Sequence, residues 1–297
     1  VLHPETIFGL GFLAWAGVSL TWSTSPQQGA LLLALLAGGY VLGQQMRDLR
    51  KLWVCLLVGA SLNLVLAFAE FAVWWNGGDF RWYGLAGGSG QMGCVMAVCF
   101  AAALGYRQLW FIPIGGIGLV YAGNRGAMAA AGVACLIALW RNYRATAMCL
   151  LLLTILAGLV LRDDAGASFV SRLGIWQDTI NHLTPLGHGF GSFAAEYAAW
   201  PKRTAPALQL APHAYNDTLE LLFDLGLGSV LAWLCVIFAM EGRNRADHLV
   251  CWTFLALSLS FFPLWVIGPA FTLSLGHLAR TRGEKPWRAG VSLPSTT

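Results

Sequence analysis

Apolar runs long enough to cross a bilayer recur along this chain, and most of the turns between them are too short to hold anything else. At roughly 17 to 25 residues per span, they fall near 6–22, 28–46, 52–75, 90–106, 109–124, 126–140, 146–161, 216–240, 247–262 and 264–279. Only 11% of the residues are charged against 57% apolar, whereas a soluble domain carries roughly 25% charged residues. The expectation is one all-α, polytopic integral membrane domain over residues 1–297 with about ten transmembrane helices. The two short runs meeting at Gly123-Asn-Arg-Gly126 are expected to form a hairpin that stops in the interface. The first run lacks a basic n-region and a small-residue cleavage site, so it reads as a true span and not a signal peptide.

Lys and Arg orient the bundle. With the N-terminus inside, the cytoplasmic turns hold Arg47, Arg50, Lys51, Arg107, Arg141, Arg144, Arg243 and Arg245, and a basic tail over 280–297 adds four more. That puts 12 of the 18 Lys and Arg inside, as the positive-inside rule requires, and makes both termini cytoplasmic. The longest loop, about 162–215, then lies outside. Within it, Phe169, Leu173, Trp176, Ile180 and Leu183 recur at helical spacing, a pattern for a helix lying apolar face down in the interface. Pro185-Leu-Gly-His-Gly-Phe-Gly-Ser-Phe193 follows as a turn whose glycines let backbone approach a ligand closely. A short helical patch ending at Trp200 comes next. All 7 Cys lie in apolar runs, so neither a disulfide framework nor a metal site is expected.

The loop runs into Pro212-His-Ala-Tyr-Asn-Asp-Thr-Leu-Glu-Leu-Leu-Phe-Asp-Leu-Gly-Leu-Gly228. If it is helical throughout, His213, Asp217, Glu220 and Asp224 form one stripe at i, i+4, i+7 and i+11. His213 is the candidate general base, because imidazole titrates near neutral pH, and Asp217 is the candidate that orients it. Pro212, Asn216 and Asp217 equally suit an ordinary helix start, where acids favour the dipole. Arg81, Arg125 and Arg172 gather near the outer surface. Guanidinium groups bind phosphate oxygens bidentately, so a lipid-linked diphosphate is the ligand class they suit, with snorkelling to lipid headgroups as the plainer alternative. His182 and His188 read as peripheral, Asp163 and Asp164 as a solvated helix end, and Glu70 as a weaker intramembrane candidate.

These residues carry a resemblance. The 212–228 segment resembles the signature that follows the large periplasmic loop of the bacterial O-antigen ligase and O-antigen polymerase superfamily of membrane glycosyltransferases. Ser171-Arg-Leu-Gly-Ile-Trp-Gln-Asp resembles that loop's Arg-x-x-x-Trp opening, and Pro185 to Phe193 its Gly-x-Gly-x-Gly stretch. Gly123-Asn-Arg-Gly-Ala resembles a Ser-Arg-Gly hairpin tip, and Leu20-Thr-Trp-Ser-Thr-Ser-Pro a Leu-x-Trp-Ser-x-x-Pro first outer turn. The motifs stand in the family's order from about residue 20 to 240. Two positions depart: Asn124 stands where the family has Ser, and Tyr215 where it often has a second His, so the family's working imidazole corresponds to either position. The spans are fewer than the family's usual complement, as expected if an N-terminal pair is missing.

The resemblance implies a GT-C-like transferase in a bacterial inner membrane. Its donor would be a glycan on undecaprenyl diphosphate, and its acceptor lipid A-core or another glycan or protein hydroxyl, by an inverting reaction without metal or cofactor. By the same resemblance, Arg125 and Arg172 would hold the diphosphate and His213 would belong to the catalytic centre. Ligase is preferred over polymerase or protein O-glycosyltransferase. Membrane lipid is the other expected partner, and nucleic acid is not one. The rival from another class is a transporter or flippase coupled through Glu70 and Asp224, which would show broken helices near the midplane; a non-enzymatic envelope scaffold is the third reading.

Overall fold

A computed structural model describes residues 4–46, 49–74, 89–106, 108, 111–122, 124–139, 165–200, 211–240 and 245–259, with 263, 264, 266, 268, 270–272, 275 and 276. Every regular element among them is helical, as the apolar runs imply. The helices are α1 (Pro4–Ser19), α2 (Pro26–Gln45), α3 (Leu49–Trp74), α4 (Ser89–Gly105), α5 (Phe111–Ala122) and α6 (Arg125–Leu139). After these come α7 (Ala165–Asn181), α8 (Phe193–Ala199), α9 (Asp217–Leu225), α10 (Val230–Met240) and α11 (Arg245–Ser258). The expected span 146–161, the loop 201–210 and the tail 280–297 lie outside the described residues.

Two apolar cores share α11. One joins it to α3, α4, α5 and α6 through Leu64, Met92, Met96, Cys99, Leu119, Ala130 and Leu257. The other joins α11 to α1, α2, α9, α10 and the helical residues near 264–275, through Phe12, Leu36, Leu221, Val236, Phe254 and Phe271. α1 and α10 run side by side, and Cys235 donates to the Glu5 carbonyl at 3.4 Å. A third, smaller core joins α7, α8 and α9 through Ile175, Phe193, Tyr197, Ala214 and Phe223.

Among the described residues, one helical run, Asp217–Met240, is long and apolar enough to cross a membrane; Val54–Leu66, Gly90–Gly105, Phe111–Val120, Gly126–Ala138 and His248–Ser258 are shorter apolar stretches. That longest run is not one straight helix. Gly226 takes φ 56 and ψ −138, a conformation L side chains avoid. It ends α9, and a 3₁₀ turn, Gly226–Ser229, leads into α10. Leu221 and Val236 line one cavity, although a straight helix would hold them about 22 Å apart. The uninterrupted helix expected over 216–240 is therefore corrected to two helices joined at a glycine.

α7 forms where the apolar spacing predicts, but its faces divide differently. Leu173 and Ile180 are exposed, while Ile175 and Thr179 are buried and Trp176 turns inward. One face of α7 therefore packs on the protein, and Val170, Leu173 and Ile180 leave an open apolar face.

Candidate active site

α9 is nine residues long, too short to persist without partners. Both ends are held by residues from elsewhere. A helix leaves its last four carbonyls without intrahelical partners, and here each one is taken. Leu222 accepts from the Gly226 N–H, Phe223 from His188 at 3.0 Å, Asp224 from Gly189 at 2.8 Å, and Leu225 from the Trp15 indole at 3.0 Å. The Asp224 carboxylate, 1% exposed, reaches back to accept the Gly191 and Phe193 N–H groups at 2.8 and 3.1 Å.

This bonding revises the glycine-rich turn. Gly187, Gly189 and Gly191 all have positive φ, which folds the turn tightly, yet its close approach is to the protein's own backbone. Gly187 abuts Asp224, Gly189 abuts Ser23, and Gly191 abuts Gly29. Every N–H from 187 to 193 is occupied: by Thr184, Phe223, Asp224, the Ser19 hydroxyl at 3.0 Å, the two Asp224 carboxylate oxygens and Gly189. From 187 to 193 no N–H is left for a phosphate. Its role is to dock α9 onto the start of α2, where Ser23 bonds the Phe190 carbonyl and the Ser192 hydroxyl at 3.1 and 2.9 Å.

The chemistry gathers at the other end of α9. Asn216 is its N-cap, and its side chain accepts from the Leu219 N–H at 3.0 Å, as the helix-start reading expects. Tyr215 before it has φ 55, so residues 213–215 are not helical and His213 cannot continue a helical stripe. Instead the chain folds back. His213 Nδ1 lies 3.0 Å from Glu220 Oε1, and Glu220 Oε2 accepts the Ala214 N–H at 2.8 Å. The carboxylate on the imidazole is Glu220, where the sequence spacing had placed Asp217. Asp217 is turned into the bundle: its Oδ2 accepts the Leu264 N–H at 2.7 Å. The signal for Glu220 was its place four residues after the N-cap, where an acid can reach back to the preceding loop.

α7 supplies the cation. Arg172 lies with its guanidinium carbon 5.3 Å from the Tyr215 ring centroid, within cation–π range. One turn on, the Trp176 indole donates to the Ala214 carbonyl at 2.8 Å. Arg172 of α7 and Glu220 of α9 therefore meet the loop that carries His213 and Tyr215, with the His213 side chain 18% exposed and that of Glu220 3%. A carboxylate accepting from Nδ1 fixes the neutral imidazole with its lone pair on Nε2, the arrangement a general base requires.

The other candidates disperse. His182 stacks on Trp200 with ring centroids 3.9 Å apart, and His188 on Phe223 at 4.1 Å, so both act in packing. Arg81, Asp163 and Asp164 lie outside the described residues; of Arg125 and Glu70 only the helix backbone is described. Asn124, beside Arg125, accepts the Ala127 N–H at 3.1 Å and donates to the Gly90 carbonyl at 3.4 Å. It thereby caps α6 and ties the hairpin tip to α4. Among the described residues no group of His, Cys, Asp and Glu is arranged to hold a metal. No protein-family model matches the chain, and no curated protein matches it significantly.

Proposed function

We propose that the chain is a polytopic glycosyltransferase of a bacterial inner membrane, with about ten spans and both termini inside. Its reaction would be that of the O-antigen ligases it resembles: a glycan leaves undecaprenyl diphosphate for an acceptor hydroxyl, lipid A-core being the preferred acceptor. One observation carries the reading. A His–Glu pair with its base nitrogen set, and an arginine stacked on the same loop, come together at one end of an apolar bundle. Exposed aliphatic side chains around the helices, such as Leu31 at 65%, Val65 at 64% and Val120 at 64%, favour a lipid environment, because soluble surfaces seldom carry so many together.

In this mechanism the acceptor oxygen forms its bond to the anomeric carbon as the carbon–oxygen bond to the diphosphate breaks. The electron pair leaves on the diphosphate, and inversion follows from attack on the opposite face. His213 Nε2 takes the acceptor proton, and the Glu220 carboxylate stabilises the imidazolium. Arg172, with Arg125 and Arg81, neutralises the leaving diphosphate; such preorganised donors contribute about 3 kcal/mol each. No metal step is needed, so excess EDTA should leave transfer by purified protein intact.

Alanine at Arg125, Arg172 and His213, one at a time in a complementation assay, tests the reading; unchanged transfer in all three would end it. Accumulation of polymer on the lipid carrier after gene loss supports ligase, and accumulation of single repeat units supports polymerase. The transport reading draws on the break at Gly226, since interrupted helices mark binding sites in transporters. Solute uptake by proteoliposomes without glycan transfer would favour it.

A further inference from the structure

The cavity between α1, α2, α9, α10, α11 and the residues near 264–275 has about 60 Å³ of room for water-sized spheres. Its walls are mostly apolar, among them Phe12, Leu36, Phe254 and Phe271. Among the described residues, three of its lining side chains nevertheless carry a buried polar atom without a well-formed hydrogen bond: Asp217 Oδ1, with the Ser258 hydroxyl in reach, Tyr40 Oη, with Thr6 and Gln44 in reach, and Trp233 Nε1. Asp217 is 2% exposed and Tyr40 4%. Buried polar atoms are nearly always satisfied, and a group left alone calls for a ligand or water.

We propose that Asp217 is a proton-binding site reached by water held in this cavity. The chemistry of the three atoms selects the occupant. A carboxylate oxygen accepts, an indole N–H only donates, and a phenol does either. Water complements all three, whereas a hydrocarbon chain complements none. Dry cavities are those without polar lining; this one has such lining and room for a few waters.

The charges around Asp217 make it a proton site. Among the described residues, no Lys, Arg or His lines the cavity. The groups that face Asp217 are Glu220 on its own helix, which bears His213, and Cys94 on α4, with the Ser258 hydroxyl of α11 in reach. Tyr40 at the far end neighbours Glu5, Thr6, Gln44 and Cys235. A buried carboxylate beside another acid and without a cation is held by taking up a proton. The exchange balances as hydronium giving its proton to the carboxylate and leaving water. Asp224, the carboxylate named by the transport reading, cannot serve in this way, because both its oxygens are taken by backbone N–H groups. The proposal stands apart from the glycosyl-transfer reading and from the fate of His213.

The test is infrared spectroscopy of the full chain in lipid bilayers, titrated in H2O and D2O, with and without a heavy-carbon label at the aspartate carboxyls. The expected result is a protonated-carboxyl stretch that moves with the label, is lost in Asp217→Asn, remains in Glu220→Gln, and shifts promptly on transfer to D2O. Ala232→Phe, which adds a ring at the cavity wall, should keep the band and slow its exchange. If Asp217→Asn does not fold, the label still assigns the band to an aspartate, and slowed exchange in Ala232→Phe ties that aspartate to this cavity. No label-sensitive band at any pH, a band that does not exchange in the wild-type chain, or a band abolished by sodium at constant pH would each overturn the proposal.

Discussion

Glu220→Gln separates the geometry of the candidate site from its chemistry. Glu220 is 2% exposed and holds two groups, the Ala214 N–H at 2.8 Å and His213 Nδ1 at 3.0 Å. Glutamine has the same shape. Its oxygen can accept from Ala214, and its amide can donate to Nδ1 once the imidazole proton moves to Nε2. Two charge-assisted bonds become neutral ones, a loss of about 1 kcal/mol each, partly offset because no charge is then buried. The net cost should be about 1 kcal/mol. Glu220→Ala strands both partners instead and should cost about 2 to 5 kcal/mol. Catalysis should respond in the reverse proportion. In the Gln variant Nε2 carries the proton and cannot accept one from the acceptor hydroxyl. A positioned base contributes about 10²- to 10⁴-fold, or about 3 to 5 kcal/mol of barrier. The assay is the initial transfer rate with lipid-linked donor, beside thermal unfolding in detergent. A Gln variant that folds and transfers at the wild-type rate refutes the assignment of Glu220, and with it the Nε2 base.

Three other outcomes follow from single contacts. Asp224→Asn should destabilise the chain by about 2 to 4 kcal/mol, because one amide oxygen cannot accept both the Gly191 and Phe193 N–H groups and its NH₂ meets a donor; limited proteolysis within 182–193 would report the released turn. Gly226→Ala should cost more than about 2 kcal/mol, since its φ of 56 excludes a side chain and the new Cβ would strike the Pro185 carbonyl; denaturant unfolding measures it. Tyr215→Asn should leave stability nearly unchanged. Asparagine relieves about 1 kcal/mol of left-handed backbone cost and forfeits a cation–π contact of similar size. The KM for the lipid-linked donor should nevertheless rise as Arg172 loses its platform.

Helix positions were legible because apolar runs and punctuation are local signals. The Asn216 cap, the turn at Asn124 and the short helix ending at Trp200 all follow from neighbours in sequence. The pairing of His213 was not legible. It depends on Tyr215 adopting a left-handed backbone, which no propensity favours for a bulky aromatic residue. Once that residue leaves helical geometry, the i, i+4 rule linking His213 to Asp217 lapses and the chain folds back onto Glu220. The Gly-x-Gly-x-Gly turn misleads for a related reason. Glycines permit a close approach, but what approaches is decided by distant residues, here Ser23, Gly29 and Asp224, which share no spacing with the turn.

These long-range ties also give the three acids and the histidine of the expected stripe separate duties. Asp224 anchors the docking turn, Glu220 holds an imidazole, and Asp217 faces the apolar cavity. Nine residues of helix therefore link the first turn of the chain, at Ser23, to the His213 loop and to the bundle interior. α9 is held at its C-terminal end by the glycine-rich turn and Trp15 and at its start by its own cap Asn216 and by the Leu264 N–H on Asp217. All three carboxylates lie on α9, and the different partners met along it, the Leu264 backbone, the His213 loop and the glycine-rich turn, give them three surroundings within about 10 Å of helix.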